Sequence, residues 1–343
     1  MENRIVQRDI DFFVEHVPFL DRLRNNSILI TGATGLIGST LIKCLLELNE
    51  KLSANITIVA IARNPEKVKA LFGERPIHWI YQDMIQPIIN IGHSIDYIVH
   101  CANSTSSKFY VEKPVENINT SYIGTNNILN YAKNNNVKGV VYLSSLECYG
   151  TIDNDQEIKE DVMGYITPTD VRSSYSLGKR ATECLCHCYA KEYGVPVRMA
   201  RLTQTFGAGV SLEDNRVFAQ FAKSIIKGEN IILHTKGESA KPYCYTIDCV
   251  CAIIHLLMEG ENGEAYNVAN SDTYISIYDM AKFMANKFNP ACEVVVELHD
   301  DMGYAPVTHL NLNTDKLKAL GWTPYYDLER MYAQLIDYYK TVL

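Results

Sequence analysis

The most informative stretch of this chain is Ile28-Leu29-Ile30-Thr31-Gly32-Ala33-Thr34-Gly35-Leu36-Ile37-Gly38. β-Favouring residues run directly into three glycines spaced by three, and an apolar helical pattern follows to position 46. A strand, a tight turn and a helix start in this order form the arrangement that holds a dinucleotide pyrophosphate. We expect Gly32 to allow the sharp turn, Gly35 to let the backbone approach phosphate oxygens, and Gly38 to let the helix pack on the strand. The spacing differs from the commoner GxGxxG, so an ordinary strand-to-helix turn is the alternative interpretation.

The length and charge of the chain narrow the classes of protein to consider. With 343 residues, of which 47% are hydrophobic, the chain can bury a substantial core in one large domain or two coupled ones. The net charge of −8 argues against broad nucleic-acid binding. The first nine residues lack the apolar run of a signal peptide, and no stretch has the length of a membrane span. We therefore expect a soluble, cytoplasmic protein with neither nucleic-acid nor membrane partners.

Three cysteines close together, Cys184, Cys186 and Cys188, flank His187 and resemble a metal-ligand set. The sequence around them predicts one continuous helix, on which positions 184 and 188 share a face while 186 points elsewhere. We therefore predict no metal site and reduced cysteines that take part in packing; a zinc site is the alternative.

Strands and helices alternate through the first two thirds of the chain. After the first strand we predict strands at 56–62, 77–81, 97–101, 140–145 and 197–201, and helices at 115–134 and 176–193. This alternation predicts an α/β fold with a Rossmann-type, doubly wound parallel sheet. Beyond position 201 helix and strand are mixed, which predicts a smaller mixed α/β substrate lobe beside the carboxyl ends of the strands, where open sheets bind ligands.

The same patterns divide the chain into parts. Residues 1–26 form an N-terminal helical extension whose apolar side chains pack on the main domain, a partner-docking arm being the alternative. Residues 27–203 form the dinucleotide-binding domain, to which a segment at about 243–270 returns. Residues 204–242 and 271–343 form the substrate-binding lobe.

Tyr175 and Lys179 are the predicted centre of the chemistry. They are one helical turn apart and therefore lie on one face of the predicted helix. An ammonium beside a phenol favours the phenolate, so we expect Lys179 to lower the pKa of Tyr175 and make it an acid/base near neutral pH. Ser145, at the end of a predicted strand, is placed to hydrogen-bond the oxygen that Tyr175 deprotonates. A surface pair and a strand-end cap are the respective alternatives.

Several motifs now resemble the extended short-chain dehydrogenase/reductases of the nucleotide-sugar epimerase/dehydratase family. They lie at 31–38, 143–150, 201–207, 264–268 and 320–322, besides Tyr175 with Lys179, and the resemblance runs from about 27 to 339. Within that family the stretches 171–180 and 214–218 are similar to the UDP-glucuronate decarboxylases.

The resemblance implies an NAD-dependent enzyme that oxidises a nucleotide-diphosphate sugar at C4 to a transient 4-keto intermediate and then decarboxylates or epimerises it. It implies Tyr175, Lys179, Ser145 and Glu147 as the catalytic set. It implies that the substrate contacts Ser145, Glu147, Gln204, Arg216 and Lys241. It implies that the cofactor contacts Gly32, Thr34, Gly35, Leu36, Ile37, Gly38, Arg63, Asp83, Met84, Cys101, Ala102, Tyr175 and Lys179. It also implies a homodimer formed through the helices near 122–131 and 176–193, although the sequence is equally compatible with burying those faces inside one subunit.

The chain departs from the family at positions that sort its subclasses. Where 4,6-dehydratases have an Asp-Glu pair, this chain has Leu146 and Glu147. Leucine cannot donate a proton, so a standard dehydratase is disfavoured, while Leu146 also departs from the decarboxylases. Glu147 can serve as a base or a polar contact, with a structural carboxylate as the alternative. Simple epimerases need only the tyrosine, the lysine and a hydroxyl residue.

Further departures leave the sugar and the nucleotide open. Gln204 stands where the family has asparagine, and Lys241 where an arginine is frequent, which removes a planar fork suited to phosphate. His309 is the residue nearest to an expected arginine, and Ser121 replaces an asparagine. Arg216 still fits a diphosphate contact, with a solvated surface arginine as the alternative.

The second strand ends in Ile61-Ala62-Arg63-Asn64, without the acidic residue typical of NAD specificity. Arg63 suits a 2′-phosphate, so NADP is possible, although the resemblance favours NAD. An NADPH-dependent keto-sugar reductase therefore stands as an alternative function beside a 4,6-dehydratase. A non-catalytic dinucleotide-sensing regulator is a further alternative, disfavoured because the chain keeps Tyr175, Lys179 and Ser145.

Overall fold

A parallel seven-stranded sheet organises the described part of the chain, residues 2–88, 91–152, 156–298 and 307–343 of a computed structural model. Its strands are β1 Ser27–Thr31, β2 Thr57–Ala62, β3 His78–Tyr81, β4 Tyr97–His100, β5 Gly139–Ser145, β6 Val197–Leu202 and β10 Ala265–Val268. The spatial order is β10-β6-β5-β4-β1-β2-β3, and every neighbouring pair is parallel. The order reverses at β1, between β2 and β4, where doubly wound sheets bind their ligands. The predicted Rossmann-type fold is confirmed.

Helices pack on both faces of the seven-stranded sheet. They are α1 Arg4–His16, α2 Leu20–Leu23, α3 Leu36–Leu52, α4 Pro65–Phe72, α5 Ser107–Glu112, α6 Pro114–Asn134, α7 Ser173–Tyr193, α8 Val217–Lys227, α9 Thr246–Glu259, α10 Ile277–Phe288, α11 Asp315–Lys318 and α12 Leu328–Val342.

The two faces of the sheet pack into separate apolar clusters because successive strand residues point to opposite sides. Ile28 and Ile30 of β1 join the cluster that contains α3 and α9. Leu29, between them, joins the cluster that contains Ile128 of α6 and Cys186 of α7. Strands buried on both faces read as continuous apolar runs, as the sequence of β1 does.

Smaller sheets lie beyond the carboxyl ends of the main strands. One combines β7 Gln204–Phe206, β9 Ala240–Tyr245 and β11 Asn270–Ser276, and the other pairs β8 Ile231–Leu233 with β12 Val294–Val296. Only Thr203 separates β6 from β7, so the chain passes directly from the main sheet into the three-stranded one. A 3-10 turn, Leu146–Tyr149, follows β5.

The N-terminal helix α1 packs on α3, α9 and α12 through its apolar face. Asn3 caps it by accepting a hydrogen bond from the amide of Ile5 at 2.9 Å. Its one buried acid, Asp9, accepts a hydrogen bond of 2.6 Å from the hydroxyl of Tyr245 at the end of β9. Burial raises the pKa of Asp9 to about 7, against the hydrogen bond from Tyr245 and the charge of Arg8, which lower it. The division of the chain into domains stays a prediction.

Candidate functional site

The glycine turn between β1 and α3 is tightly built. Gly32 has a φ of +62°, and a Cβ added there would lie 2.7 Å from the backbone carbon of Cys101. A Cβ added to Gly38 would lie 2.5 Å from the carbonyl oxygen of Gly32. At Gly35 the nearest atom would be the same oxygen, at 3.3 Å. The packing of the turn therefore requires glycine at positions 32 and 38, and much less so at 35.

The amino terminus of α3 opens at this turn. Gly35 is its N-cap, and no side chain caps the helix there. The amides of Leu36, Ile37 and Gly38 have no acceptor within the helix, and the helix carries partial positive charge at this end. Since Gly35 presents no side chain, the space in front of these amides stays clear. The turn therefore fits an anionic group such as a pyrophosphate.

A buried hydrogen-bonded chain ties this turn to β4 and α6. Thr31 Oγ1 lies 2.6 Å from His100 Nδ1, and His100 Nε2 lies 3.0 Å from Thr125 Oγ1. The amide of Ala102 donates to Thr31 Oγ1 at 3.2 Å. Burial, helped by the charge of Lys179, lowers the pKa of His100 to about 3. The imidazole is therefore neutral and holds the ends of β1 and β4 together.

Arg63 and Asp83 lie beside each other at the carboxyl ends of β2 and β3. Their closest side-chain atoms are 3.5 Å apart, and the Arg63 side chain is 73% exposed. The other Asp83 oxygen accepts a hydrogen bond from the amide of Ile85 at 3.1 Å. Met84, also predicted to contact the cofactor, is less exposed than Arg63 and Asp83. Its side chain is buried in the core, and its carbonyl accepts a hydrogen bond from the Asn127 side chain at 2.8 Å.

Tyr175 lies in the first turn of α7 and is 6% exposed. The side chains of Ser145 and Tyr110 lie next to it and influence the pKa of its hydroxyl. The rings of Tyr110 and Tyr175 are stacked, with centroids 4.4 Å apart and planes 10° apart. Burial raises the pKa of Tyr175 to about 12; the neighbouring hydroxyls of Ser145 and Tyr110 lower it, and the charge of Glu147 raises it. The predicted catalytic phenol is therefore enclosed by two other hydroxyls.

Lys179 lies one turn further along α7 and is also buried. Its ammonium donates to the carbonyl of Leu143 at 2.6 Å and lies 5.7 Å from the ring centroid of Tyr175. Burial lowers the pKa of Lys179 to about 8, against the charge of Glu183, which raises it.

The expected lowering of the Tyr175 pKa by Lys179 is not found. The two residues share a helix face as predicted, but the Lys179 ammonium donates to the Leu143 carbonyl. Burial is the largest influence on the pKa of Tyr175 and raises it. The groups that lower the pKa of Tyr175 are Ser145 and Tyr110. Spacing along a helix determines which face two residues share, but it does not determine how deeply that face is buried.

Leu146 and Glu147, which follow each other in the turn after β5, lie in opposite environments. Leu146 is 3% exposed and packs with Tyr149 and Ile158 in a small apolar cluster, whereas Glu147 is exposed. The Ser145 hydroxyl accepts a hydrogen bond from the Glu147 amide at 3.2 Å, so Ser145 caps this turn. Leu146 is therefore a core residue, and Glu147 supplies the negative charge near Tyr175.

The remaining predicted substrate residues come from the smaller sheet and the segment before α8. Gln204 begins β7, and Lys241 lies half-buried on the adjacent strand β9. Arg216 precedes α8 and donates to the carboxylate of Asp214 at 2.6 Å. Burial lowers the pKa of Lys241, the charge of Glu147 raises it, and that of Arg216 lowers it. The charges of Glu147, Arg216 and Lys241 thus lie within reach of one another.

Most of the chain matches the model of a known protein family. The model of the NAD dependent epimerase/dehydratase family matches residues 28–269. The chain is 30% identical over 303 residues to UDP-glucuronic acid decarboxylase 5 of Arabidopsis thaliana, covering 88% of this chain and 85% of that protein. It is 29% identical to UDP-glucuronic acid decarboxylase 1 of Xenopus tropicalis, covering 95% of this chain and 75% of that protein. This chain belongs to the NAD-dependent epimerase/dehydratase family.

Solved structures show the same fold at low sequence identity. UDP-glucose 4-epimerase of Thermotoga maritima, determined with UDP-glucose, matches with a TM-score of 0.76 and 20% identity, covering 92% of this chain and 99% of that chain. A dTDP-glucose 4,6-dehydratase of Bacillus anthracis, in complex with NAD, matches with a TM-score of 0.74 and 19% identity, covering 92% and 97%. The chain is an extended short-chain dehydrogenase/reductase enzyme, as predicted, of a family whose cofactor is NAD.

Two other predictions concern metals and membranes. Among the residues that the structure describes, no three His, Cys, Asp or Glu side chains are close enough to bind one metal ion. Cys184 and Cys188 are exposed on α7 while Cys186 is buried. None of the helices within the described ranges is long and apolar enough to cross a bilayer. The cytoplasmic location stays a prediction.

Sequence reasoning missed residues that shape the site. Tyr110 stacks on Tyr175, and Thr31 and His100 brace the glycine turn. A histidine within the apolar run 97–100 was a visible signal for His100, because a buried polar side chain needs hydrogen-bond partners. Tyr110 follows the carboxyl end of β4, but no local spacing relates it to Tyr175.

Proposed function

We propose that this chain oxidises a nucleotide-diphosphate sugar at C4 to a transient ketone and then releases carbon dioxide from a C6 carboxylate. The observation that carries the proposal is the buried Tyr175 side chain, which lies near Ser145 and Glu147 at the same sheet edge as the glycine turn. The sequence relatives named UDP-glucuronic acid decarboxylase support a UDP-linked hexuronate as the substrate.

The residues present fit NAD. The turn around Gly32, Gly35 and Gly38 and the start of α3 suit its pyrophosphate, as a Cβ at position 32 or 38 would meet backbone. The Asp83 carboxylate beside Arg63 disfavours a 2′-phosphate there, since it would add a like charge. When bound, NAD supplies the redox chemistry, while this chain's side chains handle protons and charge.

In the proposed reaction Tyr175 accepts the proton of the C4 hydroxyl, which Ser145 helps to orient. A ketone at C4 makes the C6 carboxylate part of a β-keto acid, and the electron pair left by departing carbon dioxide is delocalised into the carbonyl. Lys241 and Arg216 supply positive charge for the anionic parts of the substrate. Glu147, exposed beside them, is placed to contact the sugar or to exchange a proton with it.

Epimerisation is the second candidate, and Leu146 is the observation that favours it. This residue lies in an apolar cluster, so the turn offers one acid, Glu147, rather than two. A 4,6-dehydration that needs an additional acid at that position is disfavoured for the same reason. Epimerisation requires only the tyrosine, the lysine and the hydroxyl residue.

The test is product analysis. Purified protein with added NAD is incubated separately with UDP-glucuronate, UDP-glucose and dTDP-glucose, and the products are analysed by mass spectrometry. Loss of carbon dioxide from UDP-glucuronate supports the proposal. A product of unchanged mass but changed retention supports epimerisation, and loss of water supports dehydration. No product from any of the three sugar nucleotides overturns the proposal.

We further propose that the chain forms a homodimer through α6 and α7. Val115, Ile118 and Tyr122 are exposed on one face of α6, and Ala181 and Cys184 are exposed on α7. Exposed apolar side chains on two helices that pack together are typical of a contact between subunits. Light scattering in solution tests it: the wild type should have twice the mass of the chain, and Ile118→Glu should halve it.

A further inference from the structure

We propose that His100 is a positioning residue for the cofactor, and that its neutral form with the proton on Nε2 holds residues 101–103, the β4 loop, against the glycine turn. It acts through the Thr31 hydroxyl. The inference concerns NAD, the cofactor of the family, and it does not depend on which sugar reaction the chain catalyses.

The bonds on the α6 side of His100 place a proton on its Nε2 atom. The Thr125 hydroxyl donates to the carbonyl oxygen of Ser121 at 2.6 Å. A hydroxyl has one proton and a carbonyl oxygen can only accept, so towards His100 the Thr125 oxygen acts as an acceptor. His100 Nε2 lies 3.0 Å from that oxygen and must therefore be the donor.

The bonds on the β1 side follow from the same count of protons. His100 is 1% exposed and its two nitrogens face two uncharged hydroxyls, so no partner balances a positive ring. Burial accordingly lowers the pKa of His100 to about 3, which leaves Nδ1 without a proton. The Thr31 hydroxyl, 2.6 Å away, donates to Nδ1, and its oxygen accepts a hydrogen bond of 3.2 Å from the Ala102 amide. Every bond therefore donates in one direction, from Ala102 towards α6.

The β4 loop lies directly against the glycine turn. A Cβ added to Gly32 would lie 2.7 Å from the backbone carbon of Cys101 and 2.8 Å from the nitrogen of Ala102. The Ala102 amide that donates to Thr31 is thus at the point where the two backbones touch. The Thr31 hydroxyl keeps this contact closed only while His100 accepts its proton.

A second bond holds the β4 loop from the side of α6. Asn103 donates from Nδ2 to the Ser121 hydroxyl at 2.6 Å, and the carbonyl of the same serine accepts from Thr125. The bonds therefore close a ring that leaves the β4 loop at Ala102 and returns to it at Asn103. At position 100 this ring needs an acceptor on one side and a donor on the other, because a buried hydroxyl without a partner is costly.

The position of the ring links it to the cofactor. A dinucleotide at this fold lies across the carboxyl ends of the strands at the switch point, which here is β1 between β2 and β4. The β4 loop follows β4 at that edge. If the loop is loosened, part of the binding free energy of NAD is lost in ordering it again. We therefore expect His100 to affect NAD affinity through Thr31.

The first experiment separates the two ring nitrogens with matched variants. Asparagine places an amide oxygen near the position of Nδ1 and can still accept from Thr31, whereas glutamine places an amide nitrogen near Nε2 and can still donate to Thr125. Each variant loses one buried hydrogen bond, so the thermal unfolding midpoints should fall alike. The NAD affinity of the full chain, measured by calorimetry, should fall about tenfold in His100→Gln and less than about threefold in His100→Asn.

The other outcomes of this comparison contradict the inference. Equal losses of NAD affinity in the two variants indicate a purely structural role for the ring. A larger loss in His100→Asn shows that the bond to Thr125, rather than the bond to Thr31, supports the cofactor site. Wild-type affinity in both variants shows that His100 does not act on NAD.

A second measurement uses the wild-type chain, so it does not depend on any variant folding. Nitrogen-15 NMR of histidine-labelled protein distinguishes protonated from unprotonated ring nitrogens, and the His100 ring is assigned by through-bond transfer to its own backbone. The inference expects a protonated Nε2 and an unprotonated Nδ1 at neutral pH. The opposite tautomer, or a doubly protonated ring, overturns it. Neither measurement uses a sugar nucleotide, so both remain decisive if the proposed reaction fails.

Discussion

The glycine turn and the sugar side of the site are built in opposite ways. The turn is assembled mainly from consecutive residues, Gly32 to Gly38, with backbone packed on backbone. The sugar side gathers its side chains from α5, the end of β5, α7, the segment before α8 and β9. In the first region side chains are excluded, and in the second they carry the chemistry.

The two regions are therefore sensitive to different kinds of substitution. The turn has no room for a Cβ at Gly32 or Gly38, so adding one methyl group there can disrupt it. The sugar side depends on the charges and hydroxyls of Tyr175, Glu147 and Lys241, so isosteric changes there should remove function without harming the fold.

Tyr175→Phe should give the largest change. It removes one oxygen and keeps the ring stacked on Tyr110. We expect turnover to fall by roughly 10³-fold or more, because the proton acceptor is lost. The thermal unfolding midpoint and the NAD released on denaturation should match the wild type. Turnover within a few fold of the wild type would contradict the assignment of Tyr175.

Gly38→Ala should damage the turn and the fold together. The added Cβ would lie 2.5 Å from the backbone oxygen of Gly32, which cannot move away as a flexible side chain would. We expect a loss of about 1–3 kcal/mol in the free energy of unfolding, measured with urea, together with loss of NAD. Gly35→Ala is the matched comparison, since its Cβ would approach the same oxygen to only 3.3 Å. It should weaken NAD binding with little loss of stability, and equal destabilisation by both variants would contradict this view of the turn.

Asp9→Asn should change stability in a pH-dependent way. Asp9 is 3% exposed, and burial raises its pKa to about 7, so the folded state holds a proton that the unfolded state releases above about pH 4. The free energy of unfolding therefore falls as pH rises between these two values. Asparagine removes this dependence.

We expect Asp9→Asn to be more stable than the wild type at pH 8, by about 1 kcal/mol or more, and the difference to shrink or reverse at pH 4. Thermal unfolding at both pH values measures it. Tyr245, which donates to Asp9, lies on the same strand, β9, as Lys241. The value of kcat should therefore be measured at the same two pH values. A difference in stability that does not vary with pH would show that Asp9 ionises normally.

Arg63→Ala should have the smallest effect. Its side chain is 73% exposed and lies 3.5 Å from Asp83, an arrangement in which an ion pair contributes little. We expect NAD affinity, measured by calorimetry, to change by less than about threefold and NADP not to be preferred before or after the change. A large loss of NADP binding in Arg63→Ala would show that the arginine reads a 2′-phosphate.

How far the sequence alone predicts the site differs between the two regions. The turn and the parallel sheet follow from glycine spacing and apolar runs, and Gly32, expected to allow a sharp turn, has a positive φ. On the sugar side, helical spacing places Tyr175 and Lys179 on one face, yet it gives the wrong direction for the pKa of Tyr175. The sequence also gives no indication that Leu146 lies in an apolar cluster while Glu147 is exposed.

By itself the amino-acid order determined the strand, turn and helix that receive a dinucleotide, because backbone torsions and side-chain periodicity act between near neighbours. Only the tertiary structure decided which hydroxyls surround Tyr175 and how strongly burial opposes its ionisation. Tyr110 and Ser145 are 65 and 30 positions away along the chain and meet that phenol because the folded elements bring them there. Desolvation depends on everything packed around a group, and no local pattern contains that information.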